Sequence, residues 1–285
     1  MSPQRACAVI GSPIDHSLSP ALHAAAYRDL GLDWVYTRRD VPAGELARFI
    51  DLVTSEGLDG LPCGGISVTM PGKAEALARA DVRDERAVVL GAANTLVPSY
   101  APGPGAAGRI EGWSAYNTDV DGIIGAYAEF GVSQLEGRRC LVVGAGGTAA
   151  AAIAAFRAMG ASSVAVLARN HDKARSLVSV GARLGCQVSL LRWSLGAQTV
   201  REMDVIASTV PPGVADGLAA HGLRSGQVVL DAVYAGGETA LIRRARLDGA
   251  AAVGGVHMLL HQAVEQVRLM TGQRPSVTAM RAALP

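Results

Sequence analysis

The sequence predicts an α/β protein organised as two domains. Three observations carry that reading. The chain of 285 residues is longer than most single domains. Its residues are 49% hydrophobic and only 18% charged, enough apolar material for sizeable cores and unlike a disordered tail. Short β-type runs alternate with helical stretches almost throughout, the pattern of parallel sheets assembled from βαβ units.

Taken in order, strands are expected at Ala6–Ile10, Trp34–Arg38, Ile66–Thr69 and Thr95–Val97, then at Cys140–Val143, Ser163–Ala168, Gln187–Leu191, Val205–Ser208 and Val228–Leu230. Helices fall between them, among others at Pro20–Leu30, Ala43–Thr54, Asp121–Phe130 and Ala149–Met159. Two more, Val256–Met270 and Ser276–Ala283, close the chain. Ser99–Gly112 is rich in Gly, Pro and Ala and reads as a loop joining a hairpin. The expected division is an N-terminal domain over 1–118 and a second over 119–256, with helices of about 257–285 returning to the first.

Composition excludes several classes. The net charge is only +1, whereas nucleic-acid binders usually carry a basic patch or stripe, so nucleic acid is not an expected partner. Cys7, Cys63, Cys140 and Cys186 are too far apart for a metal-binding C-x-x-C pair, and the chain is too large to need disulfide staples. Four reduced, mostly buried thiols and no metal are expected. Arg5 is followed by the short apolar run Ala6–Ile10, whereas a secretory core needs roughly 7–15 apolar residues. The Ala-rich run from Thr148 is interrupted by Arg157 and is too short to span a bilayer. A cytoplasmic protein without a membrane partner is expected, and a homodimer is compatible with the sequence.

The strongest local motif is Gly144-Ala145-Gly146-Gly147-Thr148-Ala149, a G-x-G-x-x-A with an apolar strand before it and a helix after. Gly144 permits the tight turn. Gly146 lets a pyrophosphate approach the backbone, and Ala149 lets the helix pack closely on the sheet. The helix N-terminus supplies N–H donors for the anion. A Rossmann-like dinucleotide-binding domain follows; the alternative is a tight turn that binds nothing. The next strand ends in Ala168-Arg169-Asn170-His171-Asp172-Lys173. An acidic residue there would hold the ribose 2′-OH of NAD, whereas a guanidinium pairs with a 2′-phosphate. Arg169, with Lys173 as a second cation, therefore favours NADP, unless both are ordinary solvated charges at a helix start.

Four N-terminal segments are too polar for core and follow or end expected strands. They are Gly11-Ser12-Pro13-Ile14-Asp15-His16-Ser17-Leu18-Ser19-Pro20, Ser67-Val68-Thr69-Met70-Pro71-Gly72-Lys73, Gly91-Ala92-Ala93-Asn94-Thr95 and Asn117-Thr118-Asp119. Ligands of open α/β sheets bind at the carboxyl ends of strands, so these loops are candidates to line one cleft. With the glycine turn and Gly255-Val256-His257-Met258-Leu259-Leu260-His261-Gln262, they form six ordered motifs between about residues 8 and 272. Their order and wording resemble the shikimate dehydrogenase family, in particular its actinobacterial members.

The resemblance implies an α/β substrate domain followed by the Rossmann-like domain, NADP as cofactor, and interconversion of 3-dehydroshikimate and shikimate, a step toward chorismate and the aromatic amino acids. It implies that Ser17 and Ser19 bind the substrate carboxylate and that Lys73 is the general acid/base, paired with Asp119. Ser67, Thr69, Asn94, Tyr234 and Gln262 would bind ring hydroxyls or the carboxylate. Gly144, Ala145, Gly146, Gly147 and Thr148 would cradle the pyrophosphate, and Ala168, Arg169, Asn170 and Lys173 the adenosine end. Glu85, Ala232 and Gly255 fall where the family touches NADP. Taken singly, Ser17, Ser19 and Asp119 read equally well as helix N-caps, and Lys73 as a surface lysine. The family template gives His16, His257 and His261 no proton-carrying role. Ser67 departs from the family's usual Asn, Ala168 from the Asn and Asn170 from the Thr of its adenosine motif, and Ala235-Gly236-Gly237-Glu238-Thr239 lacks a frequent Pro. The rival readings are a quinate/shikimate dehydrogenase or paralogue, and a non-catalytic NADP sensor.

Overall fold

The computed structural model describes residues 4–101 and 108–284. The chain forms two compact units, one of 1–118 with 262–285 and one of 119–261.

The first unit runs β1 (Arg5–Gly11), α1 (Ser19–Asp29), β2 (Trp34–Asp40), α2 (Leu46–Glu56), β3 (Cys63–Val68), α3 (Lys73–Arg79), β4 (Val82–Arg83), α4 (Glu85–Leu90), β5 (Thr95–Tyr100) and β6 (Ile110–Tyr116). Its sheet has the order β2-β1-β3-β5-β6-β4. β1 and β3 are buried along almost their whole length, as strands covered on both faces must be, and they read as near-continuous apolar runs. Ile10, Ile50, Val53, Ile66, Leu96 and Trp113 pack in the core around them.

This sheet is mixed, parallel on one side as the strand–helix alternation implies and antiparallel around the expected hairpin. β1 pairs in parallel with β2 and β3, but β5 is antiparallel to both β3 and β6. Both ends of the Ser99–Gly112 segment lie in strands rather than in a loop: β5 extends to Tyr100 and β6 begins at Ile110. Residues 102–107 of that segment lie outside the described residues. The helix expected from Ala43 starts only at Leu46, because Gly44 has φ +84° and cannot be helical.

The second unit runs α5 (Asp119–Glu129), β7 (Cys140–Val143), α6 (Gly147–Ala158), β8 (Ser163–Ala168), α7 (His171–Leu184), β9 (Gln187–Arg192), α8 (Gly196–Glu202), β10 (Val205–Ser208), β11 (Val228–Asp231), α9 (Ala240–Leu247) and β12 (Ala251–Gly254). Its strands are all parallel, in the order β12-β11-β10-β7-β8-β9. That is the doubly wound dinucleotide-binding arrangement, with its switch point between β7 and β10. The alanines of α6 explain its close seat: every residue from Ala149 to Phe156 is buried.

α10 (Gly255–Thr271) starts in the second unit and ends in the first, followed by α11 (Val277–Arg281). Asp29 at the end of α1 accepts the Ser276 N–H at 2.8 Å, tying the turn before α11 to α1. The four cysteines are buried and unpaired. Burial pushes the Cys7 thiol up to about 12, which leaves it inert as a nucleophile. Among the described residues no helix is long and apolar enough to cross a membrane, and no group of three or more His, Cys, Asp or Glu could hold a metal ion.

Candidate active site

In the first unit the polar segments meet at one edge of the sheet, the carboxyl ends of β1, β3 and β6 and the start of the antiparallel β5. Backbone bonds lace them together. Thr69 N–H donates to Ile10 O at 2.9 Å, Ser12 N–H to Met70 O at 3.0 Å, Val68 N–H to Asn94 O at 2.7 Å and Ala93 N–H to Lys73 O at 2.9 Å. Gly11 is where the first two loops touch: a Cβ there would lie 2.4 Å from Thr69 Cγ2 and 2.6 Å from the Met70 carbonyl. The serine loop and the lysine loop are therefore in direct contact because residue 11 has no side chain.

Ser17 and Ser19 are buried at 2% and 4% exposure. The N-cap of α1 is Leu18, with no side-chain capping bond, so neither serine is its N-cap. Ser17 Oγ accepts the Ser19 N–H at 3.3 Å, and the Arg38 guanidinium grips the Ser17 carbonyl through Nε at 2.9 Å and Nη2 at 2.5 Å. Lys73 is the first residue of α3 and Thr69 ends the loop's ascent from β3; both are half-buried. Asn94 is buried and shared: its Oδ1 accepts from Thr118 N–H at 2.8 Å and Thr95 Oγ1 at 2.9 Å, while Nδ2 donates to Thr118 Oγ1 at 3.0 Å and to Gln262 Oε1 at 3.5 Å. Ser67, 3% exposed, receives the Tyr36 hydroxyl at 2.6 Å and donates to Gln266 at 2.8 Å. Glu85 is exposed and opens α4, which Asp84 caps.

The second unit carries Asp119, buried in the first turn of α5, and Tyr234, half-buried in the loop after β11. Its glycine turn leads from β7 into α6. Gly144 has φ +126°, and a Cβ there would strike Thr209 Oγ1 at 2.4 Å. Gly146, at the N-cap of α6, faces open space, with nothing within 4 Å of where a Cβ would stand. Gly146 and Gly147 are exposed while Ala145 and Thr148 are half-buried, so the first N–H groups of α6 face outward beside an unfilled approach. That fits a pyrophosphate.

Arg169 and Lys173 are exposed at the end of β8 and the start of α7, and the Arg169 guanidinium lies 6.0 Å from the centre of the Trp193 ring. Asn170 caps α7, its Oδ1 accepting the Lys173 N–H at 2.9 Å. Ala168 is buried at 4%, which leaves only its backbone to meet a ligand. Ala232 and Gly255 come together: a Cβ on Gly255 would lie 2.5 Å from the Ala232 carbonyl.

Several supporting residues carried no signal in the sequence. Tyr36 and Gln266 bond Ser67, His23 stacks on Tyr36 and bonds Gln266, and Arg38 holds the Ser17 loop. Asp231, 2% exposed at the end of β11, accepts the Thr239 hydroxyl at 2.8 Å and the Val233 N–H at 3.3 Å, fixing the loop that bears Tyr234. Burial raises the pKa of its carboxyl. An aspartate straight after an apolar strand was the one available clue. His257 Nδ1 and His261 Nε2 both bond Glu129, each at 2.6 Å, so these histidines tie α10 to α5 within the second unit.

A six-stranded parallel nucleotide sheet with an open glycine turn in one unit, and polar loops that frame a lysine in the other, define a nicotinamide-nucleotide oxidoreductase. The model of the shikimate dehydrogenase substrate binding domain matches residues 9–96, that of shikimate / quinate 5-dehydrogenase matches 126–212, and that of the shikimate 5′-dehydrogenase C-terminal domain matches 255–284. The chain belongs to the shikimate dehydrogenase family. Shikimate dehydrogenase (NADP(+)) of Rubrobacter xylanophilus is 39% identical over 281 residues, covering 97% of this chain and 94% of that one. The crystal structure of Mycobacterium tuberculosis shikimate dehydrogenase is 40% identical, covers 98% of both chains and superposes with a TM-score of 0.83. Quinate dehydrogenase from Corynebacterium glutamicum, solved in complex with NAD, shares 28% identity over 98% of both chains, also with a TM-score of 0.83.

Proposed function

We propose that this protein interconverts 3-dehydroshikimate and shikimate with NADP(H) in the cytoplasm, as the dehydrogenase step toward chorismate. The observation that carries the reading is the convergence of the Ser17, Thr69–Lys73 and Asn94 loops at one sheet edge, in a chain whose relatives bear that activity in their names. Four buried, unpaired thiols suit a reducing compartment.

NADPH, when bound, supplies the hydride to the C3 carbonyl carbon, and the protein orients it. Lys73, as an ammonium, donates the proton that the developing alkoxide needs; as a neutral amine it takes that proton back in shikimate oxidation. Positioned acid–base help of this kind is worth ~10²–10⁴-fold. Asp119 holds the reacting hydroxyl and orients the lysine. Ser17 and Ser19 bind the ring carboxylate, while Ser67, Thr69, Asn94, Tyr234 and Gln262 read the hydroxyls. Short polar side chains of this kind reject deoxy analogues, which would leave them unpaired. The α6 N-terminus, from Gly144 to Thr148, receives the pyrophosphate. Arg169 and Lys173 receive the 2′-phosphate, with the Asn170 side-chain amide and the Ala168 backbone beside them. Glu85, Ala232 and Gly255 complete the cofactor contacts.

The test is a four-way assay of the purified protein with shikimate or quinate and NADP or NAD. Shikimate with NADP is expected to give the highest kcat/KM by at least tenfold. A second reading, quinate oxidation with NAD, has the Corynebacterium glutamicum enzyme in its favour, and a preference for that pair would replace the first. Nucleotide binding without turnover of either acid would leave a sensor.

A further inference from the structure

The hydrogen bonds around Ser67 have one consistent direction, and a single backbone carbonyl sets it. Gln266, 1% exposed on α10, places its Nε2 3.2 Å from Asn94 O and 3.1 Å from Thr95 Oγ1. A peptide carbonyl can only accept, so the Gln266 atom facing it is the NH2, and its Oε1 points the other way. That oxygen meets Ser67 Oγ at 2.8 Å and His23 Nε2 at 3.3 Å, and both must donate to it. Ser67 has one proton and has given it to Gln266. The Tyr36 hydroxyl, 2.6 Å from Ser67 Oγ, is therefore also a donor. The His23 ring, stacked on Tyr36 with centroids 3.8 Å apart, carries its proton on Nε2 and accepts from Tyr27 at Nδ1, 3.4 Å away. Burial holds the His23 pKa down to about 3, so the ring keeps this single-proton form at neutral pH. Ser67 retains one lone pair and no hydrogen to offer.

We propose that Gln266 and Tyr36 are positioning residues that turn Ser67 into an acceptor-only contact, so that the substrate position facing Ser67 must carry a hydroxyl. The proposal rests on the reading of Ser67 as a substrate ligand. Where a longer amide side chain could both donate and accept, this polarised serine can only accept. It discriminates against a ketone or ether oxygen at that ring position, because two acceptors would face each other across a nearly dry contact.

The test is a pair of double-mutant cycles, read as KM for shikimate at saturating NADP. Ser67→Ala is expected to raise KM roughly threefold to tenfold, the loss of one neutral hydrogen bond, with kcat and the NADP KM little changed. Gln266→Met should raise KM by a similar factor, because the serine is then free to donate. In the Ser67→Ala background, Gln266→Met should add nothing. Tyr36→Phe keeps the ring stack and gives an independent cycle should Gln266→Met fail to fold; its effect should also vanish in the Ser67→Ala background. Among shikimates lacking one ring hydroxyl each, one should be turned over equally well by wild type and Ser67→Ala. Multiplicative effects in both cycles would overturn the positioning role and leave Ser67 as a ligand. An unchanged KM for Ser67→Ala would overturn the ligand reading and the proposal with it, while turnover of no hydroxy acid would overturn the proposed reaction itself.

Discussion

Gly146→Ala separates cofactor binding from folding because of what surrounds that residue. Its backbone is extended, with φ −99° and ψ −173°, which any residue adopts, and a Cβ there meets nothing within 4 Å. The substitution carries no folding cost and, by restricting the unfolded chain, stabilises by about 0.4–1 kcal/mol at most. The methyl group does, however, occupy the open side of the α6 N-terminus, where a pyrophosphate must approach. Pushing the anion away from one backbone N–H forfeits about 1.5–3 kcal/mol. That corresponds to a roughly 10- to 150-fold weaker Kd for NADP. Calorimetric titration with NADP and a thermal melt of the same preparation measure the two effects separately. The expected result is a large loss of affinity with Tm unchanged or slightly raised. Gly144→Ala supplies the contrast, since φ +126° and the 2.4 Å approach to Thr209 Oγ1 penalise folding itself, by about 1–3 kcal/mol. Unaltered NADP affinity in Gly146→Ala, or an affinity loss accompanied by a drop in Tm, would refute the argument.

Lys73→Ala is expected to cut kcat by ~10²-fold or more while shikimate and NADP still bind. Arg169→Ala should weaken NADP by about 1–2 kcal/mol, a charge-assisted bond discounted for the exposure of the side chain, and leave NAD nearly untouched in parallel titrations. Ser17→Ala should raise KM for shikimate with Tm nearly constant, because the serine is not the N-cap of α1. His23 is held neutral, with its pKa pushed down to about 3 by burial, against an ordinary value of about 6.5. The unfolded chain therefore binds a proton that the folded chain refuses. Stability is full above about pH 6.5 and falls as pH drops toward 3, and His23→Gln should flatten that slope in urea titrations between pH 6 and 4.

The nucleotide unit was legible because its strands announce themselves. Cys140–Val143, Ser163–Ala168 and Val205–Ser208 are short apolar, β-branched runs, and the structure begins and ends them at the expected residues. β12 escaped because Ala251-Ala252-Val253-Gly254 has a single β-branched residue and no periodicity. β6 was hidden because a Gly, Pro and Ala tract runs straight into it, with Gly112 inside the strand. The hairpin reading of Ser99–Gly112 implied a partner strand there without placing it, and the antiparallel pairing of β5 with β3, between strands far apart in sequence, left no local pattern. The candidate ligands were legible as polar interruptions at strand ends. Their supports were not: Gln266 reaches Ser67 across 199 residues of sequence and His23 across 243, and an isolated Gln or His has no local pattern.

The helix that leaves one unit and finishes in the other also sets an order of assembly during synthesis. The second unit is encoded in the middle of the chain, yet it is complete once His261 has been made. The first unit, although begun earlier, still lacks 262–285 at that moment. Without that segment Ser67 has no Gln266 to receive its proton, and Asp29 has no Ser276 amide. A chain that stops at His261 thus carries every residue of the nucleotide-binding unit and an incomplete first unit. A released chain ending at His261, titrated with NADP, is the arrangement in which nucleotide-binding competence without the first unit's last helix can be caught.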